Sequence, residues 1–202
     1  ISVCSSAGDQ KYPSIASDGN GGAFIAWQDE ISSKIYAQHL DSNGSPLWTS
    51  NGIVVCSTSG EQSQVKIVSD GQDGCILVWQ DKRNGSETDL YAQRLSGTGN
   101  KVWDTNGISV TTASGNQSKQ IIIDDGSGGV FVVWEDWRNG YPNIDIYAQH
   151  LSSSGTQLWT ANGVAVVSQT DNQFSPAIDT SGNKLIVTWS DSRTDNGDIY
   201  VQ

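Results

Sequence analysis

The sequence predicts an all-β fold, a β-propeller built from four four-stranded antiparallel blades of about 55 residues each. The prediction depends on three kinds of residue that recur in one phase along the 202-residue chain. A Trp closes an apolar run at Trp27, Trp79, Trp134 and Trp189, a Tyr follows at Tyr36, Tyr91, Tyr147 and Tyr200, and a Gln opens each unit at Gln10, Gln62, Gln117 and Gln173. Radially repeated units of about 40–55 residues, made of short strands, are typical of propellers.

Each unit contains four predicted strands in a fixed order. The first, such as VKIVSD at 65–70, ends in Asp-Gly or Gly-Gly turn residues that supply the positive φ angles of tight hairpins. The second is an unbroken apolar run, such as CILVW at 75–79, which predicts a strand covered on both faces. The third, IYAQHL at 35–40, has the period of two expected for a strand, and the fourth, GIVVCS at 52–57, follows a Trp and an Asn-Gly turn.

The chain is predicted to form one domain, residues 1–202, with one question left open at its ends. The units cover 10–61, 62–116, 117–172 and 173–202, and residues 1–9 precede them with a strand of their own. ISVC at 1–4 aligns with the fourth strand of a unit, and IYVQ at 199–202 aligns with the third. Either the N-terminal strand completes the last blade and closes a four-bladed ring, or the units belong to a larger ring or array.

Composition excludes some partners. The net charge of −11 repels phosphate backbones, so we expect no nucleic-acid partner. No apolar run approaches the roughly 18 residues of a membrane span, so we expect no membrane insertion. The acidic, polar composition favours an extracellular or cell-surface location. Cys4, Cys56 and Cys75 fall in columns that elsewhere hold small, mostly apolar residues, which indicates free, buried thiols.

A polar motif follows the Trp of the second strand, and we interpret it as a brace of the turn between strands two and three. An Arg stands two residues after an Asp, and a second Asp precedes the third strand, so the Arg fork could be held between two carboxylates. The residues are Asp81, Arg83 and Asp89; Asp136, Arg138 and Asp145; and Asp191, Arg193 and Asp198. The first unit has Ile31 in place of the Arg. The alternative is an anion-binding Arg in each blade.

Two possible metal or catalytic sites are weak. Asp18, Asp70 and Asp125 in the turns after the first strand are calcium candidates, but calcium takes six to eight oxygen ligands and each turn offers one or two carboxylates. Turn chemistry is therefore the preferred explanation, and no cofactor is predicted. His39 and His150 share a column with Arg94, so we interpret them as an exchangeable polar position rather than as metal ligands or catalytic bases.

The most site-like departure from the repeat is the loop EDWRNGYPNID at 135–145. It adds Trp137 and Tyr141, which have no counterparts in the other units, beside Asp136 and Arg138. Aromatic faces stack on sugar rings while Asp and Arg bind sugar hydroxyls, so these four residues form a candidate carbohydrate site. The alternative is that the two aromatic residues pack on a neighbouring blade or chain.

The combination W-x-D-x-R-N-G followed by D-I-Y-A-Q, L-W and N-G resembles tandem propeller repeats of large secreted or cell-surface bacterial proteins. The resemblance implies export and a role in adhesion, scaffolding or glycan contact, and it carries over no catalytic residue. With acids dispersed outside the repeat columns, the sequence predicts a non-catalytic extracellular binding or scaffolding module. A lectin-like propeller is the alternative, and a glycoside hydrolase or lyase is a third possibility. Expected partners are other protein chains or surface glycans, including further copies that add strands to open blade edges.

Overall fold

The computed structural model describes residues 1–182, 184–194 and 197–202, and this part of the chain forms antiparallel β-sheets connected by turns. Sheet 1 contains β1 (Gln10–Ser17), β2 (Ala23–Asp29), β3 (Lys34–Leu40) and β4 (Ile53–Val54). Sheet 2 contains β5 (Gln62–Ser69), β6 (Cys75–Asp81), β7 (Asp89–Leu95) and β8 (Ile108–Thr111). Sheet 3 contains β9 (Gln117–Asp124), β10 (Val130–Asp136), β11 (Asp145–Leu151) and β12 (Val164–Val167). Sheet 4 contains β13 (Gln173–Ser181), β14 (Lys184–Asp191) and β15 (Asp198–Val201).

The all-β class and the four antiparallel sheets confirm the coarse prediction. Strands follow one another in space in the order of the chain, and the Gln that opens each predicted unit is the first residue of each sheet. No helix suited to crossing a bilayer occurs in the described ranges.

The Trp and Tyr series lie opposite each other in every sheet. Trp27 pairs with Tyr36 across β2 and β3, and the pairs Trp79–Tyr91, Trp134–Tyr147 and Trp189–Tyr200 repeat this register. In sheets 1, 3 and 4 the two rings stack with centroids 6.2, 6.3 and 6.1 Å apart. The recurring letters therefore mark one cross-strand aromatic pair, which is a unit of sheet stabilisation.

The core lies between consecutive sheets and is formed by apolar side chains from both faces of sheets 2 and 3 and from one face each of sheets 1 and 4. One cluster joins Phe24, Ala26 and Ile35 of sheet 1 to Val65, Leu77 and Trp79 of sheet 2. A second joins Ile76, Leu90 and Val110 of sheet 2 to Val130, Val132 and Trp134 of sheet 3. A third joins Val133, Ile146 and Val167 of sheet 3 to Val187 and Trp189 of sheet 4. Cys56 and Cys75 are free thiols buried in the first cluster, and burial raises the pKa of the Cys75 thiol.

The loops that carry the second Trp series connect one sheet to the next. The indole Nε1 of Trp48 donates to the Gly97 carbonyl at 2.8 Å, and Trp103 Nε1 donates to the Ser153 carbonyl at 3.0 Å. Each bond crosses from one unit to the following one. These Trp residues therefore fix the relative position of neighbouring sheets as well as filling space.

The first strand of each sheet carries a β-bulge at its third residue. The residue there has a left-handed backbone, although it is never Gly: Tyr12, Gln64, Lys119 and Ser175 have φ of 53°, 53°, 51° and 55°. The strand pairing shifts register at this point in all four sheets. A bulge re-aims the side chain that it carries, and three of these four residues line the cavity described below.

This structure does not show the N-terminal strand completing the last sheet, which was one of the two alternatives left open by the sequence. Sheet 4 has three strands among its described residues, and residues 1–4 form no strand with β15. Instead Val3 and Cys4 lie beside Trp27 and Ile25 of sheet 1. Blade number and ring closure remain predictions.

Substitution of Gly107 should test the packing of the Asn-Gly turn on the buried Trp. Gly107 has φ +79°, and a Cβ added there would lie 2.6 Å from Trp79 Cη2 and 2.7 Å from the Ala92 carbonyl oxygen. Gly71 has φ +67°, but a Cβ there would meet nothing within 4 Å. Urea unfolding should show that Gly71→Ala costs about 1 kcal/mol from backbone strain, and that Gly107→Ala costs about 1–3 kcal/mol more because of the clash. Equal costs for the two variants would contradict this packing.

Candidate functional site

A polar concavity lies where the first strands of sheets 2, 3 and 4 converge. It has a volume of about 500 Å³, and its polar lining consists of Gln64, Lys66, Gln80, Lys119, Gln120 and Ser175. We call this space the axial pocket. Three of these residues, Gln64, Lys119 and Ser175, stand at the left-handed bulge positions.

Side-chain amides form a network in the wall of the axial pocket. Gln80 Nε2 donates to Gln120 Oε1 at 3.1 Å, and Gln120 Nε2 donates to the backbone carbonyl of Gln64. Gln120 is buried, which is unusual for a glutamine without such partners. The network spans sheets 2 and 3, and it fixes the orientation of the amide groups before any ligand arrives.

Glu135 is a buried carboxylate behind the same wall. It is 1% exposed; its Oε1 accepts a hydrogen bond from the Ser175 backbone N–H at 2.8 Å and lies 3.1 Å from Lys119 Nζ. Both partners line the axial pocket. The sequence analysis assigned no role to Glu135. One sequence feature points to Glu135. The residue directly after the second-strand Trp is Gln28 in the first unit and Gln80 in the second, but an acid, Glu135, in the third.

The axial pocket is cationic at its surface in a chain whose net charge is −11. Lys66 and Lys119 line it, and no Asp or Glu belongs to the lining within the described ranges. Lys119 is paired with Glu135, whereas Lys66 forms no ion pair with a described residue. Lys66 therefore presents an uncompensated ammonium group to whatever enters.

The Asp-x-Arg motif forms a bidentate ion pair in sheets 2, 3 and 4. Arg83 Nε lies 2.9 Å from Asp81 Oδ1 and Arg83 Nη2 lies 2.6 Å from Asp81 Oδ2, while the indole Nε1 of Trp79 donates to the same Oδ2 at 2.8 Å. The guanidinium also lies over the ring of Tyr91, 3.6 Å from its centroid. The same contacts recur at Trp134, Asp136, Arg138 and Tyr147, and at Trp189, Asp191, Arg193 and Tyr200. In sheet 1, Asp29 Oδ1 accepts from the backbone N–H and hydroxyl of Ser32 instead.

The second carboxylate of the predicted brace does not bond the Arg. Asp89 accepts from Asn84 Nδ2 at 2.7 Å, and Asp145 accepts from Asn139 Nδ2 at 2.7 Å. Asp198 accepts from the Thr194 hydroxyl at 2.7 Å. Burial raises the pKa of Asp89 and of Asp145. The prediction of an Arg held between two carboxylates is corrected, because the Arg fork is already filled by the first Asp and by backbone carbonyls such as that of Asn106.

The four residues of the predicted carbohydrate site in the 135–145 loop differ in burial and bonding, and the site stays a prediction. Asp136 is fully buried, with both oxygens bonded, and the Arg138 guanidinium lies over the ring of Tyr147. Tyr141 is 78% exposed, while the buried indole N–H of Trp137 has no hydrogen-bond partner in the described chain. The two added aromatic side chains therefore differ in exposure.

Each calcium candidate bonds the side chain of the column shared by His39, Arg94 and His150. In Asp18, Asp70 and Asp125, Oδ1 accepts backbone N–H groups of its own turn. The Oδ2 atom of Asp18 lies 2.9 Å from His39 Nε2, and the Oδ2 atom of Asp125 lies 2.8 Å from His150 Nε2. The Oδ2 atom of Asp70 accepts from Arg94 Nε at 2.8 Å. Hydrogen bonds from His39 and from the turn lower the pKa of Asp18. No cluster of three or more His, Cys, Asp or Glu that could hold a metal occurs in the described ranges.

No protein-family model matches the chain, and no curated protein matches it either. Solved structures do. The Penicillium chrysogenum α-L-arabinanase complexed with arabinobiose matches with a TM-score of 0.59 and 12% identity over 96% of this chain and 62% of that one. A thermostable family-43 glycoside hydrolase matches with a TM-score of 0.57 and 10% identity, over 95% of this chain and 67% of that one. The endo-arabinase from Bacteroides thetaiotaomicron matches with a TM-score of 0.56 and 12% identity, over 96% of this chain and 74% of that one.

These comparisons establish the fold alone, since the identities are low, and the chain spans about two thirds of the length of these proteins. They nevertheless correct the functional prediction. The sequence analysis predicted a non-catalytic module and no enzyme activity, whereas the proteins of similar fold named above are carbohydrate-cleaving enzymes. Adhesion, secretion and the resemblance to surface-protein repeats gain no support from them.

Acid titration should reveal the contribution of the Asp191–Arg193 pair to stability. The Arg193 hydrogen bonds lower the pKa of Asp191 from 3.8 to about 2. Because the folded-state pKa lies below the unfolded one, the pair stabilises the fold above about pH 4, and this contribution is lost as the pH falls toward 2. Urea unfolding of Asp191→Asn should therefore show a lower free energy of unfolding than wild type at pH 7, and the difference should shrink between pH 4 and pH 2.

The matched control is Asp171→Asn, which removes an exposed acid of the loop that precedes sheet 4. Its difference from wild type should stay small at every pH. A pH-independent deficit in Asp191→Asn would contradict the ion-pair assignment.

Proposed function

We propose that this protein is a carbohydrate-active propeller of the glycoside hydrolase type, and that the axial pocket binds a unit of an arabinose-containing glycan. The observation that carries the proposal is the pocket itself: a cavity of about 500 Å³ with a preorganised amide and ammonium lining. Its setting supports the proposal, because solved structures of similar fold include an arabinanase with bound arabinobiose.

The chemistry of the lining suits a sugar. Hydroxyl groups both donate and accept hydrogen bonds, and Gln side chains offer one acceptor and two donor positions each. Gln64, Gln80 and Gln120 supply such groups within one space, and Lys66 adds an ammonium donor with no competing carboxylate among the described residues. Because Gln120 is fixed by its bonds to two sheets, it loses little freedom when a ligand binds.

Glu135 is the acid that we assign to this site. Glycoside cleavage generally uses a pair of carboxylates, one of which protonates the leaving oxygen. Glu135 contacts the pocket through Lys119, whose long side chain is mostly exposed and so can move toward a bound ligand. Such a movement would open the Glu135 oxygen to the same space. We propose that Glu135 acts as one carboxylate of the site and that its contact with Lys119 Nζ, at 3.1 Å, fixes its position before the ligand binds.

The proposal also concerns the arrangement of the four sheets. We propose that the four sheets are propeller blades, in a four-bladed ring or a larger one, and that their first strands surround the ring axis. A polysaccharide substrate would fit the extracellular location predicted from the composition.

Activity measurements on arabinan, arabinobiose and arabinoxylan should test the assignment. Wild type should release arabinose from at least one of them, and Glu135→Gln should lower kcat by about 10²-fold or more with little change in KM, because an acid–base group acts mainly in the transition state. The control Glu61→Gln removes a Glu that is likewise paired with a lysine, Lys82, but that does not line the axial pocket.

Glu61→Gln should keep wild-type activity. Calorimetric titration of arabinobiose into Gln120→Ala should show weakened binding even if turnover is slow. Wild type that neither cleaves nor binds any of the three glycans, or Glu135→Gln with undiminished turnover, would overturn the proposal.

A further inference from the structure

The axial pocket leaves more hydrogen-bond donors than acceptors free for a ligand. The amide oxygen in its wall is already used, since Gln120 Oε1 accepts from Gln80 Nε2 at 3.1 Å. The side chains of Gln64 and Lys66 line the same space and form no hydrogen bond with a described residue. A lysine ammonium group donates up to three bonds and accepts none. A ligand that enters the pocket therefore meets a surplus of donors.

The charges around the pocket point the same way. Two ammonium groups, those of Lys66 and Lys119, line the pocket, and one carboxylate, that of Glu135, lies 3.1 Å from Lys119 Nζ. No Asp or Glu among the described residues belongs to the lining. Two positive charges and one negative charge leave the pocket with one positive charge, although the chain as a whole has a net charge of −11.

The strands that flank Lys66 do not compensate its charge. Lys66 lies on β5, which packs beside β1 of sheet 1 and beside β9 of sheet 3. At the same position, counted from the Gln that begins each strand, β1 has Ser14 and β9 has Ile121, and neither is charged. The surroundings of Lys66 are thus set by three consecutive sheets, and they leave its ammonium group unpaired among the described residues.

A carboxylated sugar uses this surplus better than a neutral one. A sugar hydroxyl both donates and accepts, whereas an ionised carboxylate only accepts, and its hydrogen bonds to an ammonium group are stronger than those between neutral groups. One unpaired ammonium group balances one negative charge. A phosphate group carries about −1.5 to −2 at neutral pH, and the acidic chain opposes the additional charge. The charge count therefore favours a uronic acid over a phosphorylated sugar.

We propose that the axial pocket selects a uronic acid unit of an arabinose-containing glycan. Lys66 binds the carboxylate of that unit, while the Gln64 amide and the Ser175 hydroxyl bind its hydroxyl groups. The inference rests on the proposed function and narrows the substrate class from arabinose-containing glycans in general to those that are acidic. Lys66 is then the residue that determines specificity for charge, and it takes no part in bond cleavage.

Calorimetric titration with a matched pair of glycans should test the selectivity. The pair is an arabinoxylan oligosaccharide with a glucuronic acid branch and the same oligosaccharide after reduction of its carboxylate to a hydroxymethyl group. At about 10 mM ionic strength, wild type should bind the acidic form about three- to fivefold more tightly, and about 0.5 M salt should remove most of this preference by screening. Lys66→Gln should abolish the preference without changing the affinity for the reduced form, and Lys66→Arg should retain it.

A second variant should move the preference in the opposite direction. Glu135→Gln removes the carboxylate that neutralises Lys119, so two uncompensated ammonium groups would line the pocket and the preference for the acidic form should exceed that of wild type. The control Lys184→Gln removes an exposed lysine of β14 that does not line the axial pocket. It changes the net charge as much as Lys66→Gln does, and it should leave the preference unchanged. Circular dichroism of each variant checks that the sheets form.

The outcomes separate this inference from the proposed function. Equal binding of the acidic and the reduced glycan, or a preference that survives in Lys66→Gln, would overturn the uronic acid assignment and leave the arabinose site standing. Binding of neither glycan, together with no binding of arabinobiose, would overturn both. Stronger competition by inorganic phosphate than by free glucuronate would show that the pocket selects a different anion, and it would likewise refute the assignment.

Discussion

The two apolar faces of each sheet are the constraint on which the rest of the structure depends. Strand β10 is buried along its whole length and β6 along most of it, so a sheet standing alone would expose large apolar surfaces on both sides. At about 25 cal/mol per Å² of apolar surface, no single unit of this size could tolerate that exposure. Each sheet is therefore stable only when it packs on a neighbouring sheet, and the recurrence of similar residues follows from the recurrence of one interface.

A second constraint arises from the polar group that the buried Trp carries. An indole N–H placed between sheets needs an acceptor, because an unpartnered buried donor costs about 1–3 kcal/mol. Asp81 supplies the acceptor for Trp79, and the buried Asp in turn needs a cation, which Arg83 provides. In three units the Trp, Asp and Arg of the Trp-x-Asp-x-Arg spacing are therefore joined by hydrogen bonds in this order. In the first unit, which lacks the Arg, Ser32 is a donor to Asp29.

Structural features that recur in several units could be predicted from the sequence, whereas contacts that occur in one unit could not. The register of Trp opposite Tyr follows from a local pattern that occurs four times, and the Asp-Gly hairpins and buried second strands of sheets 1 to 3 follow from patterns that occur three times. The partner of Asp89 could not be predicted, because Asn84 and Arg83 are adjacent in the chain and either could reach it. Glu135 was overlooked because its role depends on Ser175, 40 residues away and in another sheet. The functional class was predicted wrongly for the same reason: residues that converge from separate sheets leave no contiguous motif.

The residue at the bulge of each first strand has the same left-handed backbone in all four sheets, whereas its side chain differs from sheet to sheet. Tyr12, Gln64, Lys119 and Ser175 share one backbone conformation but differ in size, charge and hydrogen-bonding capacity. Since none is Gly, each already bears the conformational penalty of that position, and exchanging one side chain for another adds no new penalty of this kind. Substitution at Gln64, Lys119 or Ser175 would therefore change one group that lines the axial pocket at a time, while the hydrophobic interfaces between sheets remain unchanged.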